Sequence, residues 1–153
     1  MVDAAGRFEA LNEPQLKGQA TEAIVKSEFV VRDYSLLEPA YDNEAYDFVV
    51  DSEDKFVRVQ VKTARETGTG TVQFETVSTK ARSDGYVRDD YAGEIDYFAV
   101  FAPSLEETYL VPIEKAAKGK MELRFEEPGN NQWAGVNWHE DFMLDHVLKK
   151  RLS

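Results

Sequence analysis

Two short runs rich in β-forming residues, 47–51 and 56–62, constrain the fold of this chain more than any other feature of its sequence. The segment between them, 52–55, has the composition of a turn, so the two runs are predicted to form a β-hairpin. Side chains of a strand point alternately to opposite faces of its sheet. The second run therefore places three apolar side chains on one face, which we expect to be the core face: Val57, Val59 and Val61.

The length of the turn decides which polar side chains of the hairpin meet. A loop of two or four residues centred between Glu53 and Asp54 pairs Asp47 directly with Gln60. Residues paired in this way have Cβ atoms roughly 4.5 to 5.5 Å apart on one face. Lys62 shares that face because it lies two residues after Gln60. A carboxylate, an amide and an ammonium group are thus expected to converge, whereas a loop with an odd number of residues would place them on opposite faces.

These groups suit the hydrolysis of a phosphodiester bond, which needs a cation near the phosphate oxygens, a positioned water and a group that handles the proton of that water. Asp47 is expected to bind a hard cation such as Mg²⁺, with the Gln60 side-chain oxygen and the Val61 carbonyl as further ligands. Lys62 is expected to orient the attacking water or to stabilise negative charge. Glu22, on a predicted helix, is a candidate fourth member that reaches the metal directly or through water. Each residue alone also fits an ordinary solvent-exposed position, and the interpretation depends on their combination.

The rest of the chain contains both helical and β-rich segments. Asn12-Glu13-Pro14 has the capping residue and early proline of a helix start, and an amphipathic helix is predicted over 15–28. Residues 95–101 are almost continuously apolar, which is typical of a buried central strand. A closing helix is predicted over 141–152. The further predicted strands are 29–37, 71–78, 109–113 and 121–125.

Residues 79–90 are interpreted as a polar loop. Its basic residues are candidate contacts for DNA phosphates, because Lys and Arg supply much of the affinity for a polyanion. These residues are Lys80, Arg82 and Arg88. His139 and His146 are seven residues apart and could align on one helix face, but no further ligands lie near them in the sequence, so a structural or surface role is favoured.

Five segments in this order resemble the PD-(D/E)XK endonucleases related to group I intron homing endonucleases. The segments are KGQATE at 17–22, YDFVVD at 46–51, RVQVKTA at 58–64, IDYFAV at 95–100 and YLVPI at 109–113. The Val-Gln-Val-Lys-Thr segment within 58–64 is the most specific of these motifs, whereas Glu22 and Asp47 alone are not specific. The resemblance spans roughly residues 15 to 113.

The resemblance implies an α/β fold with a restriction-endonuclease-like core, in which α-helices flank a central mixed β-sheet, and we expect residues 1–153 to form one domain of this type. It also implies Mg²⁺-dependent cleavage of double-stranded DNA, with Mn²⁺ as a substitute, usually by a homo-oligomer. Two positions depart from the motif: Tyr46 replaces its proline, and Gln60 replaces its second acid. The resembling homing endonucleases also carry glutamine there, but a neutral ligand lowers the charge of the site. The alternatives are a catalytically silent module that binds DNA or a protein partner, and a nuclease of the Holliday-junction-resolvase type.

The net charge of −11 is the main objection to DNA binding, since an acidic surface repels a polyanion. Proteins of extreme halophiles are similarly acidic, and at molar salt the Debye length is only about 3 Å, so net charge then says little about local patches. An acidic protein that does not touch nucleic acid is the other interpretation. No segment approaches the roughly 20 apolar residues of a membrane span, so a cytoplasmic location is expected. The absence of cysteine excludes disulfides and thiolate metal sites.

Halophilic adaptation can be tested by unfolding the protein at increasing salt. We expect the melting temperature to rise from low to molar KCl, because screening weakens the repulsion among 29 acidic residues that only 18 Lys and Arg residues balance. Thermal unfolding followed by circular dichroism measures this. A melting temperature that stays flat over the whole series would contradict the halophilic interpretation.

Overall fold

A computed structural model describes residues 4–82, 85–91 and 93–152. Its helices are α1 (Ala4–Glu9), α2 (Pro14–Val30) and α3 (Leu144–Arg151). Its strands are β1 (Ser35–Leu37), β2 (Phe48–Asp51), β3 (Phe56–Thr63), β4 (Arg65–Glu66), β5 (Thr71–Glu75), β6 (Val77–Arg82), β7 (Gly85–Asp90), β8 (Tyr97–Ala102), β9 (Glu107–Pro112) and β10 (Lys120–Arg124). Single 3₁₀ turns occur at Ile113–Lys115 and His139–Phe142.

The central element is a five-stranded sheet with the order β1-β2-β3-β8-β9. Its β3 and β8 run parallel, and the other neighbouring strands are antiparallel. A three-stranded sheet with the order β10-β5-β4 and a two-stranded ribbon of β6 and β7 complete the β-structure of the described residues. The predicted α/β fold with a central mixed sheet and flanking helices is confirmed.

Two hydrophobic cores lie on the two faces of the central sheet. On one face, α2 and α3 bury apolar side chains against the sheet, including Phe29, Phe48, Val59 and Leu148. On the other face, the three-stranded sheet packs over β8 and β9, with Phe74, Phe98, Val100 and Leu123 at its centre. Each such side chain contributes about 1.5 to 3 kcal/mol when it is fully buried. Burial on both faces explains why β8 is almost continuously apolar.

The β2–β3 hairpin has the predicted register. Phe48 pairs with Val59 and Asp51 with Phe56, so the next positions along the two strands are Asp47 and Gln60. The turn has four residues, and the Ser52 N–H donates to the Lys55 carbonyl at 3.0 Å. An even loop keeps the polar residues of the two strands on one face, as the sequence argument required.

Helix α2 is longer than predicted, and of the strand predicted over 29–37 only the last three residues form a strand, β1. The helix runs to Val30 and buries Thr21, Val25 and Phe29, which recur every four residues and form one helical face. The chain then turns at Asp33, which has a left-handed φ of 71°. Phe29 is β-forming by propensity, but its burial on the helical face outweighs that local preference.

The polar loop predicted over 79–90 is instead the β6–β7 ribbon. Val77 pairs with Asp90 and Arg82 with Gly85, while residues 83 and 84 lie outside the described part of the chain. Pairing the two arms satisfies backbone N–H and C=O groups that a polar loop would leave to water. The predicted strand 71–78 is also divided, because Thr76 leaves the sheet and its Oγ1 donates to the Ala117 carbonyl at 2.7 Å.

The C-terminal segment is less helical than predicted. Residues 139–142 form a 3₁₀ turn, and Met143 is extended, with φ −58° and ψ 142°. Met143 forms an isolated bridge with Tyr109, so α3 begins only at Leu144. None of the helices in the described ranges has both the length and the apolar character required to cross a membrane.

Asp96 stabilises the start of the parallel pairing between β3 and β8. Its Oδ2 accepts the Arg58 backbone N–H at 2.7 Å, and its own N–H donates to the Arg58 carbonyl at 2.9 Å. The Arg58 side chain also contacts the carboxylate, with Nε 3.3 Å from Oδ2.

Asp96→Ala should lower the free energy of unfolding by about 1 to 3 kcal/mol, because it removes the acceptor of a backbone N–H at a strand junction. Asp96→Asn, which keeps one acceptor oxygen, should cost less. Urea unfolding measures both changes. Glu94→Ala, at an exposed neighbouring position, is the control and should stay within about 0.5 kcal/mol of the wild type. Equal effects of Asp96→Ala and Glu94→Ala would contradict this role.

Candidate active site

The candidate site lies where β2 separates from β3. The Asp47 N–H donates to the Val59 carbonyl at 2.8 Å, one residue before the paired part of β2 begins. The Asp47 side chain turns back toward β3, and its Oδ2 accepts the Val61 N–H at 2.7 Å. The Asp47 carboxylate thus accepts a β3 backbone N–H that lies beyond the paired part of β2, and this bond orients Asp47 against β3.

Helix α2 brings Glu22 to the same point. The Thr21 and Thr63 hydroxyl groups are hydrogen-bonded, with Oγ1 atoms 2.7 Å apart, so this turn of the helix is held against the end of β3. Glu22 is the next residue, and its carboxyl group lines the same cleft as that of Asp47, close enough to raise the Asp47 pKa. The structure therefore brings the predicted Glu22 and Asp47 together.

The electrostatics of the pair are unfavourable for two free negative charges. Burial raises the pKa of Asp47 to about 6, and the neighbouring Glu22 acts in the same direction. The Val61 N–H and the Lys62 ammonium oppose this rise in the Asp47 pKa. Two neighbouring carboxyl groups can share a proton or be neutralised together by a cation.

Neutral oxygen donors lie beside the pair. The Gln60 side chain contacts the Val61 carbonyl, with Nε2 3.4 Å from the oxygen. The Val61 N–H points to Asp47. In antiparallel pairing the carbonyl of a residue points the same way as its N–H, so the Val61 carbonyl also points towards Asp47. Two carboxylates, an amide and a backbone carbonyl fit Mg²⁺, which binds through one or two carboxylates and keeps several waters. Within the described ranges, no cluster of three or more Asp, Glu, His or Cys side chains could hold a metal.

Lys62 lies two residues beyond Gln60 and is largely enclosed. Its Nζ donates to the Tyr91 hydroxyl at 3.3 Å and to the Val77 carbonyl at 3.4 Å. Burial lowers the pKa of Lys62, and the negative charges of Glu75 and Asp47 act against that fall. The ammonium group is thus within electrostatic range of Asp47 but is held by two neutral partners.

A cleft of about 280 Å³ opens beside Asp47 and Glu22. Lys26, also in the cleft wall, donates to the Glu22 carboxylate at 3.1 Å and to Glu38. Sequence reasoning missed Lys26, although its position one helical turn after Glu22 signals an ion pair. It also missed Glu38, which only the fold brings near α2.

A model of the PD-(D/E)XK endonuclease family matches residues 12–145 of the chain. The chain belongs to this family. Protein 5.3 of Escherichia phage T7 is 34% identical over 115 residues, which cover 74% of this chain and 91% of that protein. The bacterial homing endonuclease I-Ssp6803I has a similar fold, with a TM-score of 0.72 and 21% identity over 91% of this chain and 95% of the other.

The two departures from the PD-(D/E)XK motif have clear places in the structure. Tyr46, at the proline position, is partly buried and packs against the core beneath the three-stranded sheet. Gln60 keeps the position of the second acid in the strand register but supplies no charge. The formal negative charge of the site therefore comes from Asp47 and from Glu22, which is provided by α2.

The two predicted histidines are not brought to this site. His139 binds the Tyr109 hydroxyl through Nδ1 at 2.7 Å, and His146 lies on the separate helix α3.

The ribbon pairs Lys80 with Val87, Arg82 with Gly85 and Arg88 with Thr79. The side chains of Lys80, Arg82 and Arg88 lie outside the described part of the structure, so their contacts with DNA stay a prediction.

The ligand assignment can be tested by Mn²⁺ titration in a calorimeter. Asp47→Ala should abolish detectable binding, because it removes the carboxylate that the strand N–H orients. Glu22→Ala should weaken binding about 10- to 100-fold, as is usual for a residue that supports the main ligand.

Glu38→Ala is the matched control for these variants. It removes one negative charge from the same cleft, where the Glu38 carboxylate contacts Lys26. Its Mn²⁺ affinity should stay close to that of the wild type. If Glu38→Ala weakens binding as much as Asp47→Ala, the cleft binds cations by general charge and the assigned ligands are wrong.

Proposed function

We propose that this protein is a Mg²⁺-dependent DNA endonuclease that hydrolyses phosphodiester bonds at the site formed by Asp47, Glu22, Gln60 and Lys62. The observation that carries the proposal is that Asp47 and Glu22 line one cleft, with Asp47 held by the Val61 N–H and within electrostatic range of the Lys62 ammonium. Membership of the PD-(D/E)XK endonuclease family supports the same reaction class.

The residues divide the work of hydrolysis between them. Asp47, Gln60, the Val61 carbonyl and Glu22 would hold the cation, either directly or through water in the case of Glu22. When bound, Mg²⁺ supplies Lewis-acid stabilisation of the charge that develops on the phosphate oxygens. Asp47 is oriented by the Val61 N–H before any ligand arrives, so its placement does not depend on the substrate.

Lys62 has a different task, because its charge is positive and its partners are neutral. A carboxylate partner would satisfy the ammonium group, whereas the Tyr91 hydroxyl and the Val77 carbonyl leave its charge available. We assign to Lys62 the stabilisation of negative charge in the transition state, together with orientation of the attacking water. Such a group contributes more to the transition state than to substrate binding.

Double-stranded DNA is the proposed substrate, and the β6–β7 ribbon is its proposed contact. The major groove admits a two-stranded β-ribbon. The base of this ribbon lies beside Lys62, since Val77 begins β6 and Tyr91 follows β7. Lys80, Arg82 and Arg88 on its strands are proposed to contact phosphates.

Lys62→Ala should fold normally and bind DNA almost as well as the wild type, because one phosphate contact is a small part of the total. Its cleavage rate in single turnover should fall on the order of 10²-fold, as after loss of a preorganised electrostatic stabiliser. Thermal unfolding, DNA affinity in Ca²⁺ and single-turnover cleavage in Mg²⁺ measure the three quantities.

Two lysine variants serve as controls for Lys62→Ala. Lys55→Ala removes the same charge from the exposed turn of the β2–β3 hairpin and should leave cleavage unchanged. Lys80→Ala should weaken DNA binding but preserve single-turnover cleavage once DNA is saturating. If the wild type cleaves no duplex, branched or single-stranded DNA in Mg²⁺ or Mn²⁺ from low to molar salt, the proposed catalytic function is wrong. The protein is then a catalytically silent module that binds DNA or a protein partner.

A further inference from the structure

Lys62 is held from the base of the β6–β7 ribbon. Of its two hydrogen-bond acceptors, Val77 is the first residue of β6, and Tyr91 directly follows the last residue of β7. Val77 pairs with Asp90, so both acceptors belong to the point where the ribbon joins the rest of the fold. The proposed catalytic lysine and the proposed DNA-contacting ribbon therefore share this junction.

Tyr91 contacts Lys62 with both parts of its side chain. The hydroxyl oxygen lies 3.3 Å from Nζ, and the ring centroid lies 5.0 Å from the same atom. A cation within about 6 Å of an aromatic centroid is attracted by the negative face of the ring. The hydroxyl group is neutral, so its contact directs the ammonium group without cancelling the charge.

The Tyr91 ring itself has little freedom to move. The residue is 5% exposed, and its ring packs edge-on against Phe98, with centroids 5.4 Å apart and an interplanar angle of 88°. Phe98 is on β8 and pairs in register with Gln60, two residues before Lys62. The ring is thus anchored to the strand that neighbours the candidate site, and it offers a rigid surface to a flexible side chain.

The rigid Tyr91 ring restricts the Lys62 side chain, which would otherwise have several positions open to it. Its four-carbon stem has many rotamers, and the carboxylates of Asp47 and Glu75 both attract its ammonium group. The two acids lie on different elements, since Glu75 is the last residue of β5 and Asp47 immediately precedes β2. A small displacement of a catalytic group is enough to reduce a rate strongly.

We propose that Tyr91 is a positioning residue that fixes the Lys62 ammonium group in the active site and links it to the base of the β6–β7 ribbon. This inference rests on the proposed function of Lys62. In this proposal Tyr91 contacts neither DNA nor metal, and it affects the cleavage rate only through Lys62.

Tyr91→Phe tests the proposal, because it removes the hydroxyl group and keeps the ring packed on Phe98. The single-turnover cleavage rate at saturating DNA should fall about fivefold, which corresponds to about 1 kcal/mol. The melting temperature and the DNA affinity in Ca²⁺ should stay at their wild-type values. An unchanged cleavage rate would overturn the proposal.

Tyr97→Phe is the matched control. Tyr97 is also 5% exposed, and its hydroxyl group also contacts a cationic side chain, that of Arg151 on α3. Its loss should leave the cleavage rate unchanged. If Tyr97→Phe slows cleavage as much as Tyr91→Phe does, the effect comes from loss of any buried tyrosine hydroxyl, and the positioning role is wrong.

A double-mutant cycle separates this inference from the proposed function. In the Lys62→Ala background, Tyr91→Phe should cause no further loss of rate, because its effect passes through the lysine. A full fivefold loss in that background would overturn the positioning role while leaving the proposed function of Lys62 intact. If Lys62→Ala itself cleaves at the wild-type rate, the proposed role of Lys62 fails, and the positioning role fails with it.

Discussion

The parallel pairing of β3 with β8 is the constraint on which the rest of this structure depends. Parallel neighbours cannot be joined by a tight turn, so the chain must leave the sheet after Thr63 and return before Tyr97. In this protein the connection contains the ribbon and two strands of the second sheet. The connection covers one face of the central sheet and also delivers Val77 and Tyr91 to Lys62 at the end of β3.

The site at this strand end is built at some cost to stability. Burial raises the pKa of Asp47 to about 6, so the folded state holds a proton there more tightly than the unfolded chain does. The contribution of Asp47 to the stability of the folded chain therefore falls as pH rises from the ordinary carboxyl range towards 6. The Val61 N–H offsets part of this cost and orients the carboxylate. Perturbed acids of this kind are characteristic of functional sites.

Much of the fold and of the site could be predicted from local sequence. An even turn between two β-rich runs determined the register that sets Asp47 opposite Gln60, and strand alternation added Lys62 to that face. The early proline, Pro14, located the start of α2, which carries Glu22, although the N-cap residue is Glu13 and makes no side-chain capping bond. The hairpin register and the helix start could be predicted because they are short-range properties that a few neighbouring residues decide.

Other features were decided only by tertiary structure. The length of α2 depends on the burial of Phe29 against Phe48, and the ribbon over 77–90 depends on pairing between its two arms. The contact of Tyr91 with Lys62 joins residues 29 positions apart. Local propensity does not specify such contacts, because they form only when distant segments pack together and the burial they gain exceeds the conformational entropy they lose. The sequence by itself therefore determined the candidate chemistry, and the tertiary structure decided how that chemistry is held in place.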